Sequence, residues 1–131
     1  MKAYLAIKFY DDCGNRDLIE KISCSLYSVG FNPIVLVRDY ENWGKVKFSS
    51  DELMRLTLKA IDESDILVVE FSEKGVGLGI EAGYAYAKNK PIIIIAERGS
   101  DVSKTLKGIA KEVYFYDEPE ELTEKFKRME L

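Results

Sequence analysis

A glycine-rich turn followed by a single glutamate is the part of this sequence best suited to chemistry. The turn contains Gly75, Gly77 and Gly79, and Glu81 comes shortly after it. An apolar run at 65–71 precedes the turn, and we expect Glu81 in the first turn of the helix that follows. Glycine lets a ligand approach the backbone closely, and the field at a helix N-terminus favours an ionised carboxylate. The pattern predicts a carboxylate nucleophile, although the same field also explains an acid that only stabilises the helix.

The composition limits which other chemistry is available. The chain of 131 residues has no histidine, which removes Ser-His and Cys-His nucleophile pairs, imidazole bases and nearly all zinc sites. The 19 basic and 23 acidic residues are scattered, so the sequence lacks the basic stripe of a nucleic-acid binder. We therefore expect carboxylate chemistry and no nucleic acid polymer as a partner.

The sequence also indicates a cytoplasmic protein. Cys13 and Cys24 do not form a disulfide framework, which favours a reducing compartment. The N-terminus does not have the pattern of a signal peptide. The apolar run 91–96 is far too short to cross a bilayer, so we expect no membrane partner.

Apolar runs that predict strands alternate with amphipathic segments that predict helices along the whole chain. Strands are predicted at 3–9, 33–37, 65–71, 91–96 and 112–116, and helices at 15–29, 49–64, after the glycine turn, at 102–110 and at 118–129. Strands that are continuously apolar are typical of a parallel sheet covered on both faces. The sequence predicts a single α/β domain over 1–131: a flavodoxin-like, doubly wound five-stranded parallel sheet of order 2-1-3-4-5 in three layers.

Ligands of such sheets bind beyond the carboxyl ends of the strands, at the switch point between the first and third strands. The loops after Phe9, Val37 and Phe71 should therefore converge. The second of these loops carries Tyr40 and Trp43, which either close the loop at the surface or stack on a flat ligand.

Four further side chains are candidates for a functional role, and two of them, Tyr4 and Asp65, also have a plain structural interpretation. Tyr4 lies within the first apolar strand, as a core aromatic or as a hydroxyl that reaches a carboxylate across the sheet. Tyr84 and Lys88 share the helix face of Glu81 and could orient or balance it. Asp65 lies at the N-terminal end of its predicted strand, where an acid is most simply solvated.

Two known site patterns fit the sequence poorly. The third glycine of the turn comes one residue too early for a dinucleotide fingerprint, and the turn follows the third strand and not the first. Asp11 and Asp12 suggest the acidic pocket of receiver domains, but the third strand ends without an aspartate and the fifth without a lysine. Asp11 and Asp12 are better interpreted as loop acids or helix caps.

The segments that carry most of these features resemble one family. Residues 4–6, 64–69, 77–85 and 89–91, and more weakly 103–108, are similar to the nucleoside 2-deoxyribosyltransferase family, including its relatives the 2′-deoxynucleoside 5′-phosphate N-hydrolases. The resemblance covers most of the chain, and the block around Glu81 is its most specific part.

The resemblance implies a role for each matched residue. The glutamate matching Glu81 attacks the anomeric carbon of deoxyribose and forms a glycosyl-enzyme intermediate, the acid matching Asp65 lies in the site, and the tyrosine matching Tyr4 orients the nucleophile. In the hydrolase branch, the serine matching Ser103 reaches a phosphate in the neighbouring subunit's site, which implies a homodimer with shared sites. No metal or other cofactor is required for this chemistry.

The chain departs from the family pattern at two places. Gly75 stands where the family often has an acid or a serine, and the loop after the first strand lacks the usual glycine. Gly75, Gly77 and Gly79 are all substrate-binding candidates, and Lys8 or Arg16 could replace the missing phosphate contacts through charge. Asp39 is a further candidate for the second carboxylate.

The expected activity is cleavage or transfer of the N-glycosidic bond of nucleosides or their 5′-monophosphates. A non-catalytic nucleotide-binding or sensor module on the same fold is the alternative. An N-glycosidase that cleaves NAD or ribonucleotides would use the same carboxylate.

Overall fold

A parallel sheet of five strands in the order β2-β1-β3-β4-β5 forms the centre of the computed structural model, which describes residues 1–131. The strands are β1 (Lys2–Ala6), β2 (Asn32–Ile34), β3 (Ile66–Glu70), β4 (Ile92–Glu97) and β5 (Glu112–Tyr116). The helices are α1 (Arg16–Ser28), α2 (Leu36–Asp39), α3 (Ser50–Asp62), α4 (Val76–Ala87), α5 (Lys104–Lys107) and α6 (Leu122–Lys127), with a 3₁₀ turn at Pro119–Glu121. The predicted fold class and strand order are confirmed.

Side chains on the two faces of the sheet form two separate cores. Successive side chains of a strand point to opposite faces. Ala3 and Leu5 of β1 therefore pack toward α1 and α6, whereas Tyr4 and Ala6 pack toward α3, α4 and α5. All five residues of β3 are buried, because helices cover both faces of the sheet. This alternation puts Tyr4 on the side of the sheet where α4 lies.

The second strand is shorter than the apolar pattern predicts. It ends at Ile34, and the chain then turns into α2 instead of continuing as a strand to Val37. The carboxylate of Asp39 accepts a hydrogen bond of 2.8 Å from the backbone N–H of Val35, and this bond stabilises the helical turn. A short apolar run fits a strand and a buried helical turn equally well, so periodicity did not distinguish them.

Local sequence signals mark the ends of two helices. Ser49 precedes α3, its Oγ accepts from the backbone N–H of Glu52 at 3.4 Å, and the Ser49 hydroxyl donates to Oε1 of Glu52 at 2.6 Å. Gly30 follows α1 with φ of +99°, a conformation that favours glycine.

The loops after β1 and β3 meet at the C-terminal edge of the sheet, as predicted. The Tyr10 hydroxyl donates a hydrogen bond of 2.7 Å to Glu73, and Lys8 forms an ion pair of 3.3 Å with the same carboxylate. The loop after α2 joins them through the contact of Trp43 with Phe9. Among the helices, none has both the length and the apolar character needed to span a membrane.

Candidate functional site

Glu81 and Tyr4 line a small cavity at the C-terminal edge of the sheet. Its volume is about 100 Å³. Tyr4 reaches it from β1 and Glu81 from the second turn of α4. The remaining lining residues come from β1, from the segment after β2 and from the following loop: Leu5, Ile7, Phe9, Val35, Leu36, Val37 and Glu41. The structure therefore brings together two of the three predicted catalytic residues, in surroundings that are mostly apolar.

Burial controls the protonation of Glu81. It raises the pKa of Glu81 from an ordinary 4.5 to about 7, and a hydrogen bond from the Tyr4 hydroxyl partly opposes this increase. The helix-terminus field invoked from the sequence does not dominate, because α4 begins at Val76 and leaves Glu81 beyond the first turn. At neutral pH both forms of the carboxyl group are populated.

The Tyr4 hydroxyl remains protonated in this environment. Burial raises the pKa of Tyr4 well above its usual range, and the nearby charges of Glu81 and Glu41 raise it further. A neutral phenol can donate a hydrogen bond, so Tyr4 can orient the Glu81 carboxylate. The hydroxyl of Thr57 in α3 also interacts with Tyr4 and itself donates to the Leu53 carbonyl at 2.9 Å.

Sequence reasoning missed two residues of this site. Thr57 is almost fully buried on the inner face of α3, where its helical spacing made it resemble an ordinary core residue. Glu41 is half-buried and lines the cavity with Glu81. Its only sequence signal was its place in a loop expected to approach the site, where Tyr40 and Trp43 were singled out instead.

The glycines of the turn do not all face Glu81. Only Gly77 adjoins it: a Cβ atom added there would lie 3.8 Å from Oε1 of Glu81. Gly75 and Gly79 line a different cavity of about 350 Å³, which also includes Ser103. Residues four apart in a helix share one face, and Gly77 is four residues before Glu81. Gly79 is only two residues before Glu81 and therefore lies on another face of the helix. Access to Glu81 therefore depends on one glycine, not three.

Asp65 lies apart from the Glu81 cavity. Its carboxylate accepts a hydrogen bond of 2.7 Å from the backbone N–H of Lys2, at the N-terminal end of the sheet. The length of β3 separates this position from the loops that surround Glu81. This placement agrees with the interpretation of Asp65 as a solvated acid at the start of its strand. It contradicts the resemblance, which implies that Asp65 lies in the site.

A larger cavity of about 430 Å³ lies beside the loop after β1. Lys8 lines it, but the Lys8 ammonium is already paired with Glu73. Glu70 and Glu97 also line this cavity, so its charge is predominantly acidic. Neither here nor elsewhere is a group of three or more His, Cys, Asp or Glu side chains arranged to hold a metal ion.

Trp43 closes its loop instead of lining the cavity. The Arg16 guanidinium lies 4.4 Å from the centroid of the indole ring, and the ring of Phe9 lies 6.0 Å from it. These contacts favour the loop-closing role over stacking on a substrate, and they also engage the side chain of Arg16.

Other predicted partners of Glu81 make structural contacts. The Tyr84 hydroxyl donates to Asp62 of α3 at 2.9 Å, and Lys88 lies 3.8 Å from the same carboxylate. Asp39 is bound to Arg38 at 3.0 Å in addition to its contact in the α2 turn.

In the loop after β1, Asp12 accepts a hydrogen bond from the backbone N–H of Gly14 at 2.8 Å, which agrees with its interpretation as a loop acid.

The sequence and the fold have counterparts among known proteins. No model of a known protein family matches the chain. It is 28% identical to "Putative 2'-deoxynucleoside 5'-phosphate N-hydrolase 1" of Thermofilum pendens, over 98% of this chain and 94% of the relative. These values confirm the resemblance to the nucleoside 2-deoxyribosyltransferase family and its hydrolase relatives.

Two solved structures share the fold. The CMP N-glycosidase BcmB of Clostridium botulinum superposes with a TM-score of 0.71 at 21% identity, over 96% of this chain and 97% of the other. The 2-deoxyribosyltransferase of Bacillus psychrosaccharolyticus superposes with a TM-score of 0.76 at 16% identity, over 100% and 93%. At these identities the likeness establishes the fold.

Proposed function

We propose that this protein cleaves or transfers the N-glycosidic bond of nucleosides or their 5′-monophosphates, with Glu81 as the nucleophile. The observation that carries the proposal is the Glu81 carboxyl group, hydrogen-bonded to Tyr4 in an apolar cavity at the switch point of the sheet. The names of the three relatives support the substrate class, since each refers to a nucleoside, a nucleotide or deoxyribosyl transfer.

The reaction follows the retaining pattern of glycosyl transfer. An Oε atom of Glu81 attacks C1′ of the sugar, the bond from C1′ to the base nitrogen breaks, and its electron pair leaves with the base. A water molecule or a second base then attacks C1′ of the glycosyl ester and releases Glu81. Tyr4 donates its hydrogen bond to the carboxylate and limits rotation of the side chain before attack.

The dimensions of the site indicate how a substrate would bind. Small-molecule sites usually enclose about 300–1,000 Å³, so the Glu81 cavity can surround only the reacting end of a nucleotide. Ile7 lines both this cavity and the larger one near Lys8, so the two are adjacent. A 5′-phosphate placed near Lys8 would have to compete with Glu73 for its charge.

We also propose that the protein is a homodimer that associates through α4. The outer face of this helix exposes Val76, Ile80 and Tyr86 to solvent at 83%, 50% and 57%. A helix that is apolar on all sides is normally buried. Gly79 and Gly83 leave open space on that face, which would allow another backbone to approach. Ser103 lines the adjoining cavity and would then be close to the second subunit.

A non-catalytic nucleotide-binding module is the second candidate. The observation that favours it is the pKa of about 7 for Glu81, because a protonated carboxyl group is not a nucleophile. The enzyme proposal relies on the fraction of Glu81 that is ionised at neutral pH. The two candidates therefore differ in whether base is released.

The deciding experiment measures base release by chromatography. Deoxynucleosides, ribonucleosides and their 5′-monophosphates are each incubated with the protein, with and without an acceptor base. Release without an acceptor identifies a hydrolase, and exchange that requires an acceptor identifies a transferase. Nucleotide binding without turnover supports the second candidate.

The matched variants are Glu81→Gln and Glu63→Gln. Glu63 is an exposed acid just after α3. Its substitution removes one negative charge, as Glu81→Gln does, but at a position outside the cavity. We expect Glu81→Gln to lower turnover by about 1,000-fold or more, in line with the loss of a nucleophile, while Glu63→Gln retains it. Undiminished turnover in Glu81→Gln would rule out the assigned nucleophile.

A further inference from the structure

Two carboxylates approach the same cavity from different parts of the chain. Glu81 comes from α4, and Glu41 comes from the loop after α2. Tyr4 lines the cavity with both of them, and both charges raise the pKa of its hydroxyl. The rest of the lining is apolar, which strengthens any interaction between a charged group and a polar substrate atom there.

Backbone hydrogen bonds hold Glu41 in place on both sides. Its N–H donates to the carbonyl of Leu36 at 3.1 Å. Its own carbonyl accepts from the N–H groups of Gly44 and Val46, at 3.0 and 2.9 Å. The loop is therefore ordered around Glu41, and its side chain is half-buried in spite of its charge.

The residues that follow Glu41 adopt a costly conformation. Asn42, Trp43 and Gly44 have φ values of +44°, +57° and +89°, in the left-handed region that non-glycine residues rarely occupy. The Trp43 N–H donates to the Val37 carbonyl at 2.7 Å, and Trp43 is packed against Arg16. Glycine adopts such a conformation freely, but at Asn42 and Trp43 it is strained, and strained backbone clusters at functional sites.

The other nearby acids are engaged elsewhere. Asp39 is bound to Arg38 and to the α2 backbone, and Asp65 lies at the opposite end of the sheet. Glu70 accepts hydrogen bonds from Tyr116 and from Ser72 and lines the other cavity. Of these acids, only Glu41 shares a cavity with Glu81.

We propose that Glu41 protonates the departing base and then serves as the base that activates the incoming nucleophile. The inference rests on the proposed function, since it assigns the second carboxyl group that a retaining reaction uses. It replaces Asp65 in that role with a residue that sequence reasoning did not single out.

The proton balance of the two steps is complete. As the bond from C1′ to the base breaks, the carboxyl group of Glu41 gives its proton to a nitrogen or oxygen of the base, which departs neutral. Glu41 is left ionised while the sugar is esterified to Glu81. In the second step Glu41 takes a proton from water or from the N–H of an acceptor base as that group attacks C1′, and Glu81 leaves as a carboxylate.

The surroundings of Glu41 suit a proton donor. Burial raises its pKa, and the charge of Lys47 in the same loop only partly offsets this. Tyr4 of β1 and Glu81 of α4 are the other ionisable groups that face it across the cavity.

The test compares Glu41→Gln with Glu63→Gln on substrates whose bases need protonation to different degrees. The first substrate is the deoxynucleoside or deoxynucleotide that the wild type cleaves best. The second is its activated analogue, N7-methylated for a purine or 5-fluorinated for a pyrimidine, whose base leaves readily without a proton. The unfolding free energy of each variant is measured alongside.

We expect Glu41→Gln to lower kcat on the ordinary substrate by about 100-fold or more, as for loss of a general acid, and to retain most activity on the activated analogue. The alkaline fall in the pH profile of kcat/KM should also disappear. Equal losses on both substrates, or a change in KM alone, would overturn the assignment and leave Glu81 as nucleophile. If the wild type cleaves no substrate at all, the proposed function and this inference fail together.

Discussion

At the scale of single residues, the state of Glu81 depends on what covers it. The sequence predicted a carboxylate just after a glycine turn, but it is burial in the fold that raises the pKa of Glu81 to about 7. Tyr4 supplies the opposing hydrogen bond from a neighbouring strand. A pKa raised by burial means that ionised Glu81 reduces the stability of the fold, so the candidate site is maintained at a cost.

The loss of stability that accompanies ionisation of Glu81 leads to a prediction for Glu81→Gln. The unfolded chain ionises Glu81 near its ordinary pKa of 4.5, and the folded chain only near 7. Between these values the folded state holds more protons, so the free energy of unfolding falls as pH rises and stays low above pH 7. Gln carries no charge, so we expect the variant to be more stable than the wild type by up to about 3 kcal/mol near pH 8.

Urea denaturation of both proteins at about pH 5 and about pH 8 measures this difference. The advantage of the variant should be small at the lower pH. A difference that does not depend on pH would contradict the raised pKa.

At the scale of elements, α4 performs three tasks on three faces. One face holds Gly77 and Glu81 toward the cavity, and the face with Gly79 is open. The third is buried against the sheet through Leu78, Ala82 and Ala85. Tyr84 and Lys88 continue the face of Glu81 and contact Asp62 of α3. The helix, its glycine turn and Glu81 were predicted from the sequence, but the assignment of faces required α3 and the sheet.

Gly77→Ala tests the access face. Alanine favours the helix, and φ at this position is not in the left-handed region, so we expect stability to rise by up to about 1 kcal/mol. The new Cβ would lie beside Oε1 of Glu81, at 3.8 Å, and should lower kcat/KM by narrowing the approach of the sugar. Steady-state kinetics and thermal unfolding measure the two effects. A variant with unchanged kcat/KM would show that substrate does not pass Gly77.

At the scale of the whole molecule, the outer face of α4 lacks a partner within one chain. The other long helices, α1 and α3, expose mainly polar residues, with Tyr27 of α1 as a single large exception, whereas α4 exposes three large apolar residues next to open glycines. An exposed patch of this kind on a folded protein marks an interaction surface.

Ile80→Glu and Tyr27→Glu form the matched pair for this surface. Both replace an exposed apolar residue, at 50% and 72% exposure, but Tyr27 lies on α1 on the other side of the sheet. We expect Ile80→Glu to shift the protein from dimer to monomer, because a buried unpaired charge at the interface is costly. Tyr27→Glu should remain dimeric. Sedimentation analysis measures both, and a monomeric wild type would contradict the dimer.

The sequence by itself predicted the fold class and the strand order, which follow from local periodicity and from the usual order of doubly wound sheets. The resemblance to a known family, and not the periodicity, is what joined Tyr4 with Glu81. Only the tertiary structure decided that Glu41 shares the cavity, that Asp65 lies at the other end of β3, and that two of the turn glycines face away. The reason is that membership of a cavity depends on how distant loops converge and how each helix is rotated, and neither is encoded by spacing within one segment.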